Sequence, residues 1–212
     1  MLKRHAGFAG FLLLVTAPMR TAAAEAPPAL LPLPLVSQAT SYSCGAAALL
    51  SVLYYWRAFD GTESDLYGPL ETTPRDGTHP AKIVEVARRY GLQAEMRIEM
   101  TIEDLRRELA AGATVILDIQ AWPSDDRRDP PWEELWEDGH YVILAGMDSS
   151  KVYAMDPSVR AGYGYLPLEE LPRRWHDYED RNGRLEIHRR LGIVIRGSRP
   201  IASYPAPLSR IE

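Results

Sequence analysis

Residues 45–57, Gly-Ala-Ala-Ala-Leu-Leu-Ser-Val-Leu-Tyr-Tyr-Trp-Arg, are apolar on nearly every side of a helix. A helix without a polar face has no stable place on a protein surface, so this segment has to run through the middle of the fold with other elements packed around it. Directly before it stands Cys44, the only cysteine of the 212-residue chain. At a helix N-terminus unpaired amide N–H groups converge with the positive end of the macrodipole, which favours a thiolate over a thiol and stabilises a developing oxyanion. The segment therefore sets two constraints together: a buried central helix, and a sulfur at its mouth.

Residues 1–26 begin with Lys3, Arg4 and His5, continue through an apolar stretch at 6–17, and end on the small residues Ala22-Ala23-Ala24. This is the pattern of a cleavable secretory signal, which makes the mature protein exported, periplasmic or secreted. The apolar stretch is shorter than the roughly 20 residues that cross a bilayer, and no later segment supplies a span. Residues 27–212 then have the length of one compact domain. Exported domains that rely on disulfides carry cysteines in even number, whereas one thiol has no partner in the chain and reads as a reactive group. A net charge of −5 without a basic stripe argues against nucleic acid or an anionic membrane as partner.

Hydrophobic periodicity and breakers give the order of elements. A proline-rich lead at 27–35 precedes the central helix, and 60–78 reads as loop with one short helix from Thr62. Pro80 at a first helical position and the stop at Gly91 bound a second helix. Thr101 with Asp104 forms a variant capping box for a third, which ends near Gly112 and presents Ile102, Leu105 and Leu109 to the core. Strands are expected at 94–98, 114–121, 140–147, 151–156, 163–168 and 185–196. Helices early and strands late indicate an α+β domain, with the helices on one side of a mostly antiparallel sheet.

The segments 139–147 and 151–157 read as a hairpin turning through Asp148-Ser149-Ser150. With Met147 opposite Lys151, Val142 faces Asp156 and His140 becomes its diagonal neighbour on the same face, roughly 7–8 Å away between backbones and within side-chain reach. A carboxylate so placed fixes the imidazole tautomer and supports an imidazolium able to pair with a thiolate.

In this arrangement a glutamine precedes the cysteine by six residues, glycine follows it, Gly-His-Tyr opens a strand, and Asp-Pro follows sixteen residues after the histidine. Gln38, Cys44, Gly45, His140, Asp156 and Pro157 fit that pattern, and in it the chain resembles the bacteriocin-processing, double-glycine-leader cysteine peptidases and their stand-alone relatives within the papain-like superfamily. The resemblance covers nearly all of residues 27–212. It implies a papain-like fold with Cys44 as nucleophile, His140 as acid and base, Asp156 orienting His140, and the Gln38 amide with the Cys44 N–H as oxyanion hole. A peptide or protein is the implied substrate, and no cofactor is implied. Two departures bear on substrate: Ser43 stands where an aspartate often precedes the nucleophile in transporter-linked members, and these residues include neither a membrane span nor an ATPase. Cleavage after a double glycine is therefore not implied.

His79, His176 and His188 lack a recognised ligand spacing, so no metal site is expected. Trp122, Trp132 and Trp136 precede His140 closely enough to wall a cleft, or else pack as an insertion against the sheet. His176-Asp177 is read as the end of a short helix begun near Leu168, with a structural role, and the tail from Gly197 as extended or mobile. The expected function is an exported thiol hydrolase acting on a peptide or isopeptide bond. The alternatives are an acyl or γ-glutamyl transferase of the same chemistry, or an inactive peptide-binding module.

Overall fold

The computed structural model describes residues 29–122, 131–159, 163–181, 183–203 and 208–210. The signal-like residues 1–26 lie outside them. Three helices come first: α1 (Cys44–Tyr55), α2 (Ser64–Leu70) and α3 (Pro80–Arg89). Then follow β1 (Gln93–Arg97), α4 (Ile102–Ala110), β2 (Thr114–Gln120), a 3-10 turn at Trp132–Glu134, β3 (Gly139–Met147), β4 (Lys151–Met155), β5 (Tyr163–Pro167), α5 (Leu171–Arg174), β6 (His176–Arg181), β7 (Arg184–Arg189), β8 (Gly192–Arg196) and β9 (Leu208–Arg210). Seven strands form one sheet in the order β1-β8-β2-β3-β4-β5-β9, antiparallel except at β5/β9, and β6 and β7 form a separate two-stranded ribbon. The α+β class and the buried central helix hold.

Local chemistry explains the helix ends. His79 caps α3 by accepting from the Ala81 N–H at Nδ1, with Pro80 in the first turn where its missing N–H costs nothing. Thr101 and Asp104 make both reciprocal bonds of a capping box on α4. Glu108, on α4, is 4 % exposed and ion-pairs with Arg97 on β1 and Arg196 on β8, tying that helix to the sheet edge.

Three expectations are corrected. The helices occupy both faces of the sheet: α1 and α3 pack on Ile116, Ile143, Ile193 and Ile195, while Leu105 of α4 and Leu171 of α5 join Val115, Leu117, Leu144 and Val194 on the other. Both faces of β2 and most of β3 are consequently buried, which is why those strands read as continuous apolar runs rather than alternating ones. The single strand expected at 185–196 is two strands in different sheets, because Arg190 takes a left-handed conformation (φ 50°) and turns the chain. The short helix ends at Arg174, so His176 and Asp177 open β6 instead of closing a helix. Within the tail, Leu208–Arg210 is a strand that pairs parallel with β5.

The β3/β4 hairpin reaches its expected pairing by an unexpected route. Met147 lies opposite Val152, one residue off the expected register, and a bulge between Leu144 and Gly146 restores the offset so that Ile143 faces Met155. The carbonyl of Ala145, freed at the bulge, accepts from the Leu31 N–H at 2.8 Å. Tyr163 adds its hydroxyl to the Leu31 and Leu33 carbonyls, each at 2.9 Å. The proline-rich lead is thus fastened across the sheet and delivers Gln38 to the mouth of α1.

Candidate active site

Cys44 is the first residue of α1 and is partly exposed. Ser43, its N-cap, turns its hydroxyl back to accept from the Thr40 N–H (3.1 Å) and makes no side-chain cap. The first amide donors of α1 are left without a capping side chain, as an anion site at a helix mouth requires. Gly45 follows because a Cβ there would stand 2.6 Å from the Cβ of Thr78. The glycine lets the chain before α3 close on the start of α1.

His140, on β3, and Asp156, one residue past β4, meet with Nε2 and Oδ1 2.7 Å apart, both side chains almost wholly buried. The same Oδ1 accepts from the Ser158 N–H and hydroxyl, each at 2.8 Å, in an Asx turn around Pro157. Burial pushes Asp156 up, but the His140 bond and charge and the Ser158 donors outweigh it and hold the carboxyl below its ordinary range. For His140 burial favours the neutral ring, yet the hydrogen bonds to Asp156 and Cys44 together prevail and raise it to about 9. A ring so supported favours the imidazolium form. Nε2–H serves Asp156, while Nδ1, buried and without a conventional hydrogen-bond acceptor, is left for the Cys44 side. Trp122 covers this pair, its ring centroid 4.7 Å from that of His140, and is held there in a left-handed conformation (φ 49°).

Gln38 is fixed by its backbone, whose N–H donates to the Pro157 carbonyl at 3.0 Å. The next N–H, of Ala39, donates to Glu63 Oε2 at 3.0 Å. One N–H of the Gln38 amide is spent on the Thr40 carbonyl at 2.7 Å, and its Oε1 is buried without a partner. The four residues named from sequence therefore lie on three connected pieces of structure: the α1 mouth, the β3/β4 end, and the strap carrying Gln38. Sequence reasoning passed over Ser158, Glu63, Asp118 and Tyr141, and gave Asp177 only a structural place at a helix end. An Asp-Pro-Ser turn is a visible signal for Ser158; the others become neighbours only through tertiary packing.

The three tryptophans divide between the two readings. Trp122 lies on His140, whereas Trp132 is buried under the guanidinium of Arg174 (4.1 Å) and Trp136 packs on His176 with centroids 4.3 Å apart. Residues 123–130 of that segment lie outside the described part. Among the described residues no three His, Cys, Asp or Glu side chains stand together as a metal site, and no helix is long and apolar enough to cross a membrane.

Residues 30–181 match the model of the Peptidase_C39 like family. Among solved structures, the chain is similar to a Bacillus anthracis protein described as a C39-like peptidase, at 18 % identity over 79 % of this chain and 96 % of that one, TM-score 0.58. It is also similar to the double glycine motif protease of an AMS/PCAT transporter, solved with its leader peptide, at 20 % identity over 80 % of this chain and 94 % of that one, TM-score 0.53. The peptidase domain of Streptococcus ComA aligns at 18 % identity, covering 77 % of this chain and 98 % of that one, TM-score 0.50. No curated protein matches the chain in sequence. With the family model spanning well over half of its length, the chain belongs to the Peptidase_C39 like family.

Proposed function

We propose that the protein is a thiol hydrolase that cleaves a peptide or isopeptide bond, exported after removal of residues 1–26. The observation that carries the reading is the buried His140–Asp156 pair, 2.7 Å apart, beside a partly exposed Cys44 at an uncapped helix mouth. The Cys44 sulfur adds to the substrate carbonyl carbon, and the oxygen takes up the displaced electron pair. The Cys44 N–H and the Gln38 side-chain amide stabilise that oxyanion. His140 gives its Nδ1 proton to the leaving nitrogen as the C–N bond breaks, leaving a thioester. Water, deprotonated by His140, then releases the acid and returns the sulfur to its starting state.

Peptide recognition is supported by family membership and by the similar protease solved with a leader peptide. The test has two arms. Iodoacetamide at about pH 6 should label Cys44 far faster than a free cysteine, as expected of a nucleophilic sulfur beside an imidazole at a helix mouth. Cys44→Ala should abolish hydrolysis of a peptide library while the circular dichroism spectrum is retained. Labelling as slow as that of free cysteine, or turnover that survives Cys44→Ala, overturns the mechanism. Capture of the acyl group by hydroxylamine in place of water separates hydrolase from transferase by the partition ratio.

A further inference from the structure

The β6/β7 ribbon is built with its polar side inward. Its register pairs Asp177 with His188 and Glu179 with Glu186 on one face, and Tyr178 with Ile187 and Asp180 with Leu185 on the other. Leu185 and Ile187 are 63 % and 57 % exposed, whereas His188 is buried. Asp177 points at the sheet beside the candidate site. Its Oδ1 accepts from Gln120 Nε2 at 3.2 Å, and its Oδ2 lies 1.9 Å from where a Cβ on Gly139 would be. On the same face, two residues before Gln120, is Asp118, and opposite it in the β2/β3 register is Tyr141. Asp118 is 2 % exposed and its carboxylate oxygens meet no N–H or hydroxyl donor, facing the Asp177 carboxyl instead; the Tyr141 hydroxyl is also buried and unpartnered. Burial, then Asp118, Glu179, Cys44 and Asp177, push the Tyr141 hydroxyl up, so it stands among these carboxyls and the nucleophile.

This cluster has the wrong sign for its position. Negative charge beside a sulfur that has to be an anion raises the cost of that anion, and a buried carboxyl without a partner is itself costly. Burial and the neighbouring Asp177 push Asp118 well up, and burial raises Asp177 to about 6. A cation delivered by the substrate removes both costs together, which a bound proton does only by discharging the site. We propose that Asp118, Asp177 and the Tyr141 hydroxyl form a subsite for a lysine or arginine side chain of the peptide that is cleaved. The subsite rests on the thiol-hydrolase reading and narrows its substrate to basic peptides. Asp177, partly exposed, meets the cation first, with Asp118 and Tyr141 behind it.

The experiment compares internally quenched peptides in which lysine is moved through three positions on each side of the scissile amide, each against norleucine of the same length. At one position lysine should raise kcat/KM by about tenfold or more, and arginine should do likewise. In Asp177→Asn and in Asp118→Asn that ratio should fall towards one, and in Asp177→Lys it should invert in favour of glutamate. Should Asp118→Asn fail to fold, the two Asp177 variants, on the partly exposed ribbon, carry the same readout. A wild-type ratio near one at every position overturns the subsite, as does an unchanged ratio in both Asp177 variants, which leaves the carboxyls merely sharing a proton. Rapid labelling of Cys44 by iodoacetamide, which has no side chain to recognise, without lysine preference or basic-peptide cleavage, sinks the subsite and spares the thiol chemistry. Slow labelling sinks both.

Discussion

The backbone N–H of Gln38 donates to the carbonyl of Pro157 at 3.0 Å, so the strap bearing the amide and the turn bearing Asp156 are held as one unit. Pro157 has no N–H of its own and leaves its carbonyl to serve the strap, while Ser158 serves Asp156. The two sides of the proposed mechanism, oxyanion stabilisation and imidazole orientation, thereby share a single backbone hydrogen bond.

Gln38→Ala removes the side-chain donor and keeps that backbone bond. We expect kcat to fall on the order of 100-fold or more, KM to change little, and the melting temperature to stay near wild type. Steady-state kinetics with a thermal melt checks it; a comparable loss of stability would make Gln38 a structural residue instead.

His140 sets the alkaline limit. Its folded-state pKa is raised to about 9 from an ordinary 6.5, so the stability its imidazolium contributes is fully present below about 6.5 and is lost as pH rises through about 9. Activity should decline over the same upper range, and the urea midpoint should fall with it. Asp156→Asn withdraws the chief support of the imidazolium, so the alkaline limb should move to lower pH and turnover should drop roughly 1000-fold. A pH–rate profile whose alkaline limb is unmoved in this variant contradicts the pairing.

Gly139→Ala places a methyl group 1.9 Å from the Asp177 carboxylate. Overpacking of this kind should cost about 1–3 kcal/mol. Asp177→Ala introduced in the same chain should recover much of that loss, and a double-mutant cycle in urea measures the coupling. Additive losses would mean that the methyl group finds room elsewhere.

Trp122 lies with its ring centroid 4.7 Å from that of His140, within range of quenching by a protonated imidazole. The fluorescence difference between wild type and Trp122→Phe should therefore brighten as pH passes through about 9, and His140→Ala should flatten the curve. A flat curve in wild type would separate the two rings.

The sequence alone determined the central helix, the class, and the pairing of His140 with Asp156, because each follows from local pattern: an apolar run without a polar face, a capped or broken end, a hairpin that fixes its own diagonal neighbours; Gln38 and Cys44 it nominated beside them as site residues. The turn at Asp148-Ser149-Ser150 stands where the sequence put it, and the one-residue error in register beside it left His140 and Asp156 correctly matched, since the bulge near Ala145 cancelled it. What only tertiary structure decided is what lies around those four. Helices on both faces, the break at Arg190, the turn of His176 and Asp177 into β6, and the meeting of Asp118, Tyr141 and Asp177 beside Cys44 all depend on segments far apart in the chain. No periodicity within any one of them encodes where another will pack, so Asp118, which the sequence places merely within a strand at 114–121, is in the fold buried with the Asp177 carboxyl as its neighbour.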